Sequence, residues 1–510
     1  MTRCRKTWLT TILVTICLMS IAQAQNERLE IATIGEPPGL DTMMPFGILA
    51  QHIGKHIYEY LFAFDENWVP VPHLTRDFEL SEGGTVYTFH LREGVPFHDG
   101  SLLDADDVVA SLSRWMNVET TSLANVAPVF VSLEAVDDLT VRLELSAPVA
   151  PLLTMLAADG APIYPASIIE TYGEDPIQTF VGTGPYRFGE WLPDRHIDLV
   201  RFEDYAARDD EPSGFAGART AYFDVLRFVP VPDVSVRAAG VQAGQYDVAQ
   251  DLNPDMHIQF SDDPSVTAVV IAPFGWPFFA MNKAEGLFSD TCMRQAFQAA
   301  LDMDEMMAAG FGDPALYEAD GSIYPPEIAT WYSEAGLERY NQKDPARAAE
   351  LLAECGYEGQ PVRILTSRQY DFLYKISLVA AHQARNAGFT VDLQVVEWAT
   401  LVQRRQQPAE YDFFVTFNSM SPAPPIFQLW LFEYWPGWWV DADKDALLGE
   451  FNRSVDPADQ IAVWERLQTM IYEEVAIIKI GNFYGLALAS PDLMGLQPIY
   501  TMPFWNVWYE

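Results

Sequence analysis

The chain has 510 residues, of which 49% are hydrophobic, and a formal net charge of −40 at pH 7. This length indicates two or three domains with large cores, and the hydrophobic content excludes disorder as the general state of the chain. The acidic balance excludes nucleic acids and anionic membranes as expected partners, because both would be repelled by its field. A soluble acidic surface is the simplest interpretation, and the same charge suits cationic or neutral solutes.

Residues 1–24 have the pattern of an export signal. A positively charged start and an apolar core, Trp8 to Ile21, precede a small-residue cleavage motif. We expect cleavage between Ala24 and Gln25 and a periplasmic location. The apolar core is short for a membrane span. The residues before Cys17 do not look like a lipoprotein acylation site, so we do not expect a lipoprotein.

The first predicted strand, Leu29 to Ile34, leads through the loop Gly35 to Asp41 to a helical pattern from Gly47 to Leu61. His52 and His56 lie four residues apart and therefore on one face of this helix, a spacing that metal sites can use. Because no third ligand is near in sequence, an ordinary helix surface is the favoured interpretation. No metal and no cofactor are predicted.

The stretch Val86 to Met116 contains a strand, a turn and a capped helix in succession. Residues 86–91 alternate with the period of a half-buried strand. Asp104 can cap the helix that follows, with Asp106 and Asp107 in its first turn. The stretch contains no nucleophile paired with a base and no cluster of metal ligands. Its residues therefore indicate a structural unit.

The sequence of this stretch, YTFHLREGVPFHDGSLLDADDVVASLSRW, resembles the signature segment of the family 5 extracytoplasmic solute-binding proteins of ABC importers, which include dipeptide and oligopeptide binders. The run GTGPY at residues 182–186 and the run NKAEGLFSDTCMR at residues 282–294 are also similar to the family. The resemblance implies an α/β, two-lobed periplasmic binding protein (type II, cluster C-like) with an extra subdomain inserted in the first lobe. It also implies a monomer whose partners are a small organic solute or peptide and the permease subunits of an ABC transporter.

Two β-α-β-like units recur along the chain. Their segments are Phe223 to Phe228, Val234 to Ala243 and Tyr246 to Ala249 in the first unit, and Val391 to Val396, Ala399 to Gln406 and Tyr411 to Phe417 in the second. Separate units imply two lobes, each with its own sheet. We expect the hinge near Phe274 to Asn282. The predicted divisions are the signal 1–24, lobe I in 25–65, 175–280 and 485–510, an inserted subdomain in 66–174, and lobe II in 281–484.

Cys292 and Cys355 remain after cleavage of the signal. Each lies on a predicted helix, and an oxidising compartment permits a disulfide, but no spacing rule links the two residues. Their pairing stays open at this point.

A two-lobed protein usually binds its ligand in the cleft between the lobes. The segment Pro422 to Val440 is rich in tryptophan and follows the second β-α-β unit, so we expect at least one of its tryptophans, Trp430 or Trp435 among them, to contact the ligand. A buried structural loop is the alternative. Trp276, in the predicted hinge strand, either lines the pocket or fills core.

The resemblance places further residues near the cleft, and it also exposes a departure. Peptide binders of the family hold the ligand's ammonium group with an Asp that follows a Trp, and residues 418–421 contain neither. A buried ammonium without a carboxylate costs several kcal/mol, so a free peptide N-terminus is not expected. Arg405 could hold a carboxylate, or it could be a solvated arginine. The candidate ligand-binding residues are Glu36, Trp276, Trp398, Arg405, Asn418, Ser421, Trp430 and Trp435.

The sequence therefore favours a receptor that binds without catalysis. A peptide-like solute follows from the resemblance, and an oligosaccharide, an opine or another aromatic-stacking solute is the competing ligand class. A secreted glycoside hydrolase that uses two carboxylates is the alternative from another class. Carboxylate pairs arise by chance in so acidic a chain, and no Gly-x-Ser-x-Gly, His-Glu-x-x-His or cysteine-centred catalytic pattern is present.

Overall fold

The computed structural model describes residues 28–420 and 428–510. Its strands are β1 Arg28–Thr33, β2 Phe62–Phe64, β3 Pro70–Pro72, β4 Thr75–Leu80, β5 Val86–Leu91, β6 Phe130–Asp137, β7 Thr140–Leu145, β8 Tyr186–Leu192, β9 His196–Arg201, β10 Val225–Pro230, β11 Val248–Ala249, β12 Thr267–Met281, β13 Tyr317–Glu318, β14 Val362–Thr366, β15 Val391–Val395, β16 Phe413–Ser419, β17 Ile477–Lys479, β18 Asn482–Ala489, β19 Leu493–Met494 and β20 Trp508–Tyr509.

The helices surround these strands. They are α1 Ile48–Gly54, α2 Ala105–Val118, α3 Thr120–Asn125, α4 Leu152–Ala157, α5 Ala166–Tyr172, α6 Val234–Gln242, α7 His257–Phe260, α8 Thr291–Ala299, α9 Met303–Phe311, α10 Pro345–Glu354, α11 Asp371–Asn386, α12 Trp398–Arg404, α13 Ala442–Arg453 and α14 Pro457–Glu474. Within the two described ranges, none of them combines the length and the apolar character that crossing a membrane requires.

A 12-stranded sheet runs through the molecule in the order β15-β14-β16-β12-β18-β11-β1-β10-β9-β8, with β13 beside β18 and β17 beside β12. At one end β1 pairs in parallel with β10 and β11, and at the other end β14 pairs in parallel with β15 and β16. The antiparallel strands β12 and β18 lie between these two parallel groups. The two predicted β-α-β units therefore occupy opposite ends of one sheet. The expectation of a separate sheet for each lobe is wrong, because β12 pairs with β16, β18 pairs with β11, and β12 and β18 pair with each other.

The long strand β12 changes partners along its length. Residues from Thr267 to Ile271 pair with β18, and residues from Gly275 to Met281 pair with β16, with a register shift between Ile271 and Gly275. A Cβ atom on Gly275 would lie 2.7 Å from the backbone oxygen of Asn418. This close approach of two backbones requires glycine at the point where β12 passes from one end of the sheet to the other.

A separate four-stranded antiparallel sheet, in the order β4-β5-β7-β6, is built around the strand of the stretch Val86 to Met116. The side chain of Asp104 accepts hydrogen bonds from the backbone N–H groups of Asp106 and Asp107, and the Asp107 side chain accepts one from the Asp104 N–H. This capping box confirms the predicted start of α2. Leu112 and Trp115 on the inner face of α2 are buried against the sheet.

The first helix is shorter than predicted, because α1 ends at Gly54 whereas the pattern indicated a helix to Leu61. A Cβ atom on Gly54 would lie 2.5 Å from Thr42 Cγ2, so glycine allows this end of α1 to pack on the loop after β1. Residues 57–61 are all buried. Their apolar side chains therefore come from the complete burial of this segment, and they do not mark one face of a helix.

Cys292, in the first turn of α8, and Cys355, immediately after α10, form a disulfide with their Cα atoms 5.8 Å apart. The pairing that the sequence left open is therefore made.

Reduction of this disulfide is expected to lower the free energy of unfolding by about 4 kcal/mol, because the bond closes a long loop in the unfolded chain. Urea unfolding with and without dithiothreitol measures the effect. A protein carrying both Cys292→Ser and Cys355→Ser should be less stable and should not respond to dithiothreitol. Identical unfolding curves for the oxidised and reduced wild-type protein would contradict this expectation.

Candidate functional site

A cavity of about 470 Å³ is enclosed by three parts of the chain. The loop after β1 and helix α1 form one side of it. The end of α2, helix α3 and helix α4 form a second side, and Ser419 at the end of β16 forms a third side together with Met420, Tyr500 and Thr501. Because β16 lies at the opposite end of the large sheet from β1, the cavity lies between the two parallel groups of strands.

The loop on the first side is held by Asp41, which is fully buried. Its carboxylate accepts hydrogen bonds from the Arg114 Nη2 at 2.7 Å, the Tyr164 hydroxyl at 2.9 Å and the Ile177 N–H at 3.0 Å. Arg114 lies on α2 and is also buried. This network ties the loop after β1 to the second side of the cavity, and it fixes the residues that follow Asp41 as a wall.

Lys55 and Asp159 form an ion pair in the cavity wall, with Lys55 Nζ 2.5 Å from Asp159 Oδ1. The ammonium group also lies 3.8 Å from the centre of the Phe215 ring. Burial lowers the pKa of Lys55, and the neighbouring Asp159 opposes this shift. The lysine is therefore a cation with partners on two sides.

Glu119 follows α2 and caps α3, where its Oε2 accepts a hydrogen bond from the Ser122 N–H at 2.7 Å. Its side chain lies over Gly160, since a Cβ atom on that glycine would be 3.0 Å from Glu119 Cγ. Gly160 follows Asp159 directly, so the two carboxylates of the cavity lie on the same wall.

The third side is organised by the irregular part of β12. The N–H of Met420 donates to the backbone oxygen of Phe274 at 2.8 Å, which holds Met420 beside the register shift. Tyr500 packs edge-on against the Phe274 ring at 5.3 Å, and burial raises the pKa of its hydroxyl. Ser419 and Met420 carry the second end of the large sheet into the cavity wall.

The predicted site residues form other groups. Glu36 Oε1 accepts hydrogen bonds from Trp191 Nε1 at 3.2 Å and from the Asp194 N–H at 2.9 Å, and so it ties the loop after β1 to the β8–β9 hairpin. Trp398 packs edge-on against Tyr370 at 4.7 Å. Neither side chain is among those that line the cavity.

Trp276, Asn418 and Trp430 do come together, around Gln428. Asn418 Nδ2 and Trp430 Nε1 both donate to Gln428 Oε1, at 2.8 and 3.2 Å. The Trp276 and Trp430 rings meet edge-on with centres 6.2 Å apart, and both side chains are buried. Trp276 and Trp430 thus belong to the core of the second end of the sheet, one of the two possibilities that the sequence left open for Trp276.

Arg405 and Trp435 form a further pair. The guanidinium carbon of Arg405 lies 5.5 Å from the centre of the Phe414 ring and 6.0 Å from that of Trp435. Burial lowers the pKa of Arg405. Ser421 lies outside the described residues. A ligand role for the eight candidate residues that the sequence suggested stays a prediction. The seven of them that the structure describes do not line the cavity.

The described part of the aromatic segment is fixed by a buried lysine. Lys444 Nζ donates to the backbone oxygens of Leu431 at 2.8 Å and Trp439 at 2.7 Å. Lys444 is 1% exposed, so these two hydrogen bonds hold both ends of residues 431–439 against α13.

His52 and His56 are buried, so the interpretation as an ordinary helix surface is wrong. His52 Nε2 hydrogen-bonds the Met502 backbone oxygen at 2.6 Å, and His56 Nε2 accepts from the Phe504 N–H at 2.9 Å. His52, on α1, and His56, two residues after its end, thus join this part of the chain to the C-terminal segment. The sequence could not indicate this role, because the partners lie some 450 residues away.

Lowering the pH from 8 to 5 is expected to destabilise the protein through these histidines. Burial lowers the pKa of His52 from 6.5 to about 4 and that of His56 well below 6.5, so the unfolded chain binds more protons in this range. Stability is therefore complete above pH 6.5 and falls as the pH approaches 4, with a loss of about 2 kcal/mol at pH 5 for His52.

Melting temperatures at the two pH values test this expectation. The variant His52→Gln should show a smaller difference between pH 8 and pH 5 than the wild type. The control His382→Gln, at an exposed position, should leave the difference unchanged. Equal pH responses in the wild type and His52→Gln would contradict the assignment.

A possible metal-binding group lies elsewhere, on β8 and β9, where ligand atoms of Glu190, His196 and Asp198 lie within 4.8 Å of one another. Arg227 Nε and Nη2 already contact the two oxygens of Asp198 at 2.7 and 2.6 Å. The guanidinium places a fixed positive charge where a metal cation would bind, so this group forms an ion-pair network.

Lys55, Glu119 and Asp159 did not stand out in the sequence. Glu119 and Asp159 are ordinary acidic residues in a chain with 71 of them, and Lys55 is hidden within the pattern of α1.

Comparisons with known proteins agree with this architecture. A family model described as bacterial extracellular solute-binding proteins, family 5 Middle, matches residues 69–439. A probable peptide ABC transporter periplasmic-binding protein, y4tO from Sinorhizobium fredii, is 25% identical over 473 residues, which cover 88% of each chain. The glutathione-binding protein GsiB from Pectobacterium atrosepticum is 27% identical over 480 residues, which cover 89% of this chain and 88% of that one.

Among solved structures, the ABC transporter substrate-binding protein CtaP from Listeria monocytogenes superposes with a TM-score of 0.84 at 21% identity. The match covers 95% of this chain and 100% of that one. This likeness confirms the predicted fold class.

Proposed function

Because the chain belongs to the bacterial extracellular solute-binding proteins of family 5, we propose that it captures a peptide-like or other small organic solute and delivers it to the permease of an ABC importer. The cavity of about 470 Å³ carries this proposal, since its walls come from both ends of the large sheet. The relatives named for peptide and glutathione binding support a peptide-like solute.

Binding would act through closure of the two lobes. A solute that touches the wall near Asp41 and the wall near Met420 at once makes contacts that an open form lacks. That difference in contacts shifts the population towards the closed form, which the permease would recognise. The junction within β12, at Gly275, is the place where we expect the two lobes to turn against each other.

The location that we propose is the periplasm, reached through cleavage of residues 1–24. The intact mass of protein recovered from the periplasm should correspond to a chain that starts at Gln25. We also propose that the protein acts as a monomer, which size-exclusion chromatography with light scattering can check.

Native mass spectrometry of periplasmically expressed protein is the experiment that tests the proposed function. A bound small molecule should be released on gas-phase activation, and adding it back to stripped protein should raise the melting temperature. At a solute concentration of 100 times Kd, the stabilisation is about 2.7 kcal/mol. Absence of any bound or stabilising solute would count against a receptor.

We further propose that the protein does not transform its solute. Incubation with glycosides and peptides should leave each compound intact, while the binding partner raises the melting temperature. Turnover that a single carboxylate substitution abolishes would overturn this part of the proposal and would favour the hydrolase alternative.

A further inference from the structure

Among the described side chains that line the cavity, negative charges outnumber positive ones. Among the described residues that form its walls, Glu119 and Asp159 are acidic, Lys55 is basic, and arginine and histidine are absent. Lys55 is neutralised by Asp159 at 2.5 Å. Among the residues of the wall that the structure describes, one carboxylate, that of Glu119, therefore remains without a cationic partner.

The described part of the cavity wall offers an anionic solute no positively charged group that is free to bind it. Lys55 is 6% exposed, and its ammonium group lies between the Asp159 carboxylate and the face of the Phe215 ring. A carboxylate of the solute would have to displace Asp159 from a buried ion pair, and this would leave Asp159 buried without its partner. It would also be repelled by Glu119.

Glu119 is held in place and still has an oxygen to offer. Its Oε2 accepts the Ser122 N–H at 2.7 Å, which fixes the carboxylate at the start of α3. Its Oε1 accepts no hydrogen bond within the described part of the chain, and it lies over Gly160, where a hypothetical Cβ atom would be 3.8 Å away. The missing side chain at residue 160 thus keeps one face of the carboxylate open.

The remaining walls suit an apolar body that carries a positive charge. Trp68, Trp115 and Tyr500 contribute aromatic rings, and Met155 and Met420 contribute thioethers. Aromatic faces attract organic cations, and thioethers adapt to irregular apolar shapes. These side chains line the same cavity as Glu119, and none of them is positively charged.

We propose that the solute of this protein is an organic cation whose ammonium or guanidinium group pairs with Glu119, while its body packs on the aromatic and methionine walls. This inference rests on the proposed function and names the class of solute. The counter-ion then lies on the segment between α2 and α3, on the first half of the chain, and it replaces the carboxylate that residues 418–421 lack.

Matched probes test the charge directly. The first set is leucinamide, N-acetyl-leucinamide and N-acetyl-leucine, and the second is phenylpropylamine, phenylpropanol and phenylpropanoate. Thermal shift and calorimetry on the mature protein should show binding of the amines, with the neutral and anionic members of each set at least about tenfold weaker. The solute released in native mass spectrometry should also be a cation.

Two variants connect this preference to one residue. Glu119→Gln keeps an oxygen for the Ser122 N–H and removes the charge, so it should weaken amine binding by about tenfold. Glu170→Gln removes the same charge from an exposed position on α5, and it should change binding by less than about twofold.

The outcomes separate the two proposals. Binding of the carboxylates, or amine binding that is equal in wild type and Glu119→Gln, would overturn the cation assignment and leave a solute receptor in place. If no probe binds and no solute is released, the receptor function fails and the cation assignment fails with it.

Discussion

Replacement of Arg114 by methionine is expected to lower the free energy of unfolding by about 3–5 kcal/mol, because it leaves the Asp41 carboxylate buried without its cation. Both side chains are buried, and the guanidinium also donates to the backbone oxygens of Gly173 at 2.7 Å and Asp175 at 3.0 Å. The loop after β1 then loses its anchor, so solute affinity should fall together with stability. Urea unfolding and calorimetry measure the two effects.

Two further variants identify the cause. Arg142→Met removes an arginine from the exposed face of β7, and it should change the stability by no more than about 0.5 kcal/mol. The double variant Asp41→Asn, Arg114→Met should recover part of the loss, since an uncharged amide costs less to bury than a carboxylate. A stability of Arg114→Met equal to that of Arg142→Met would contradict the assignment of Asp41 as the anchor.

Replacement of Thr154 by tryptophan is expected to weaken solute binding by about a hundredfold or more, because the new indole would fill the cavity. Thr154 lies on α4 and lines the cavity, but it is only half-buried, so the free energy of unfolding should change by about 1 kcal/mol or less. Affinity and stability are therefore expected to separate in this variant, in contrast to Arg114→Met.

Thr171→Trp is the matched control, since Thr171 lies exposed on α5 in the same region and outside the cavity wall. It should bind the solute as the wild type does. Unchanged affinity in Thr154→Trp, with the protein folded, would show that the solute binds elsewhere. The surface around Trp398 and Arg405 would then become the leading alternative.

Local signals in the sequence predicted the elements well. The capping box of Asp104 and the alternation within residues 86–91 depend on neighbours a few residues apart, and the structure contains both the helix and the strand. The two β-α-β units were also predicted from local patterns. The order of their strands in one continuous sheet was not predicted, because the pairing between β12 and β16 joins residues more than 130 positions apart.

The tryptophans show why local composition is a weaker guide to a site. Trp276 and Trp430 are prominent in the sequence, yet each packs in the core of one end of the sheet. What fixes residues 431–439 of the aromatic segment is the ammonium group of Lys444 on α13, which donates hydrogen bonds to the backbone oxygens of Leu431 and Trp439. A sequence pattern does not distinguish an aromatic ring that faces a cleft from one that fills a core.

The cavity itself depends on contacts between distant residues. The pair Lys55 and Asp159 is separated by 104 positions, and the pair Asp41 and Arg114 by 73. Neither pair belongs to a motif with a fixed spacing, so the residue types in the sequence could not predict that the two partners are in contact. The departure at residues 418–421 was visible in the sequence, but the carboxylate that we propose in its place, that of Glu119, emerged only from the lining of the cavity.

The central claim is that the solute binds in the cavity between the two ends of the large sheet. A crystal structure of the mature protein with its co-purified solute tests this most directly. We expect the solute to lie between Met420 on one side and Glu119 on the other, with its positively charged nitrogen within hydrogen-bonding distance of the Glu119 carboxylate. A solute bound against Trp398 and Arg405, with the cavity empty, would contradict the account.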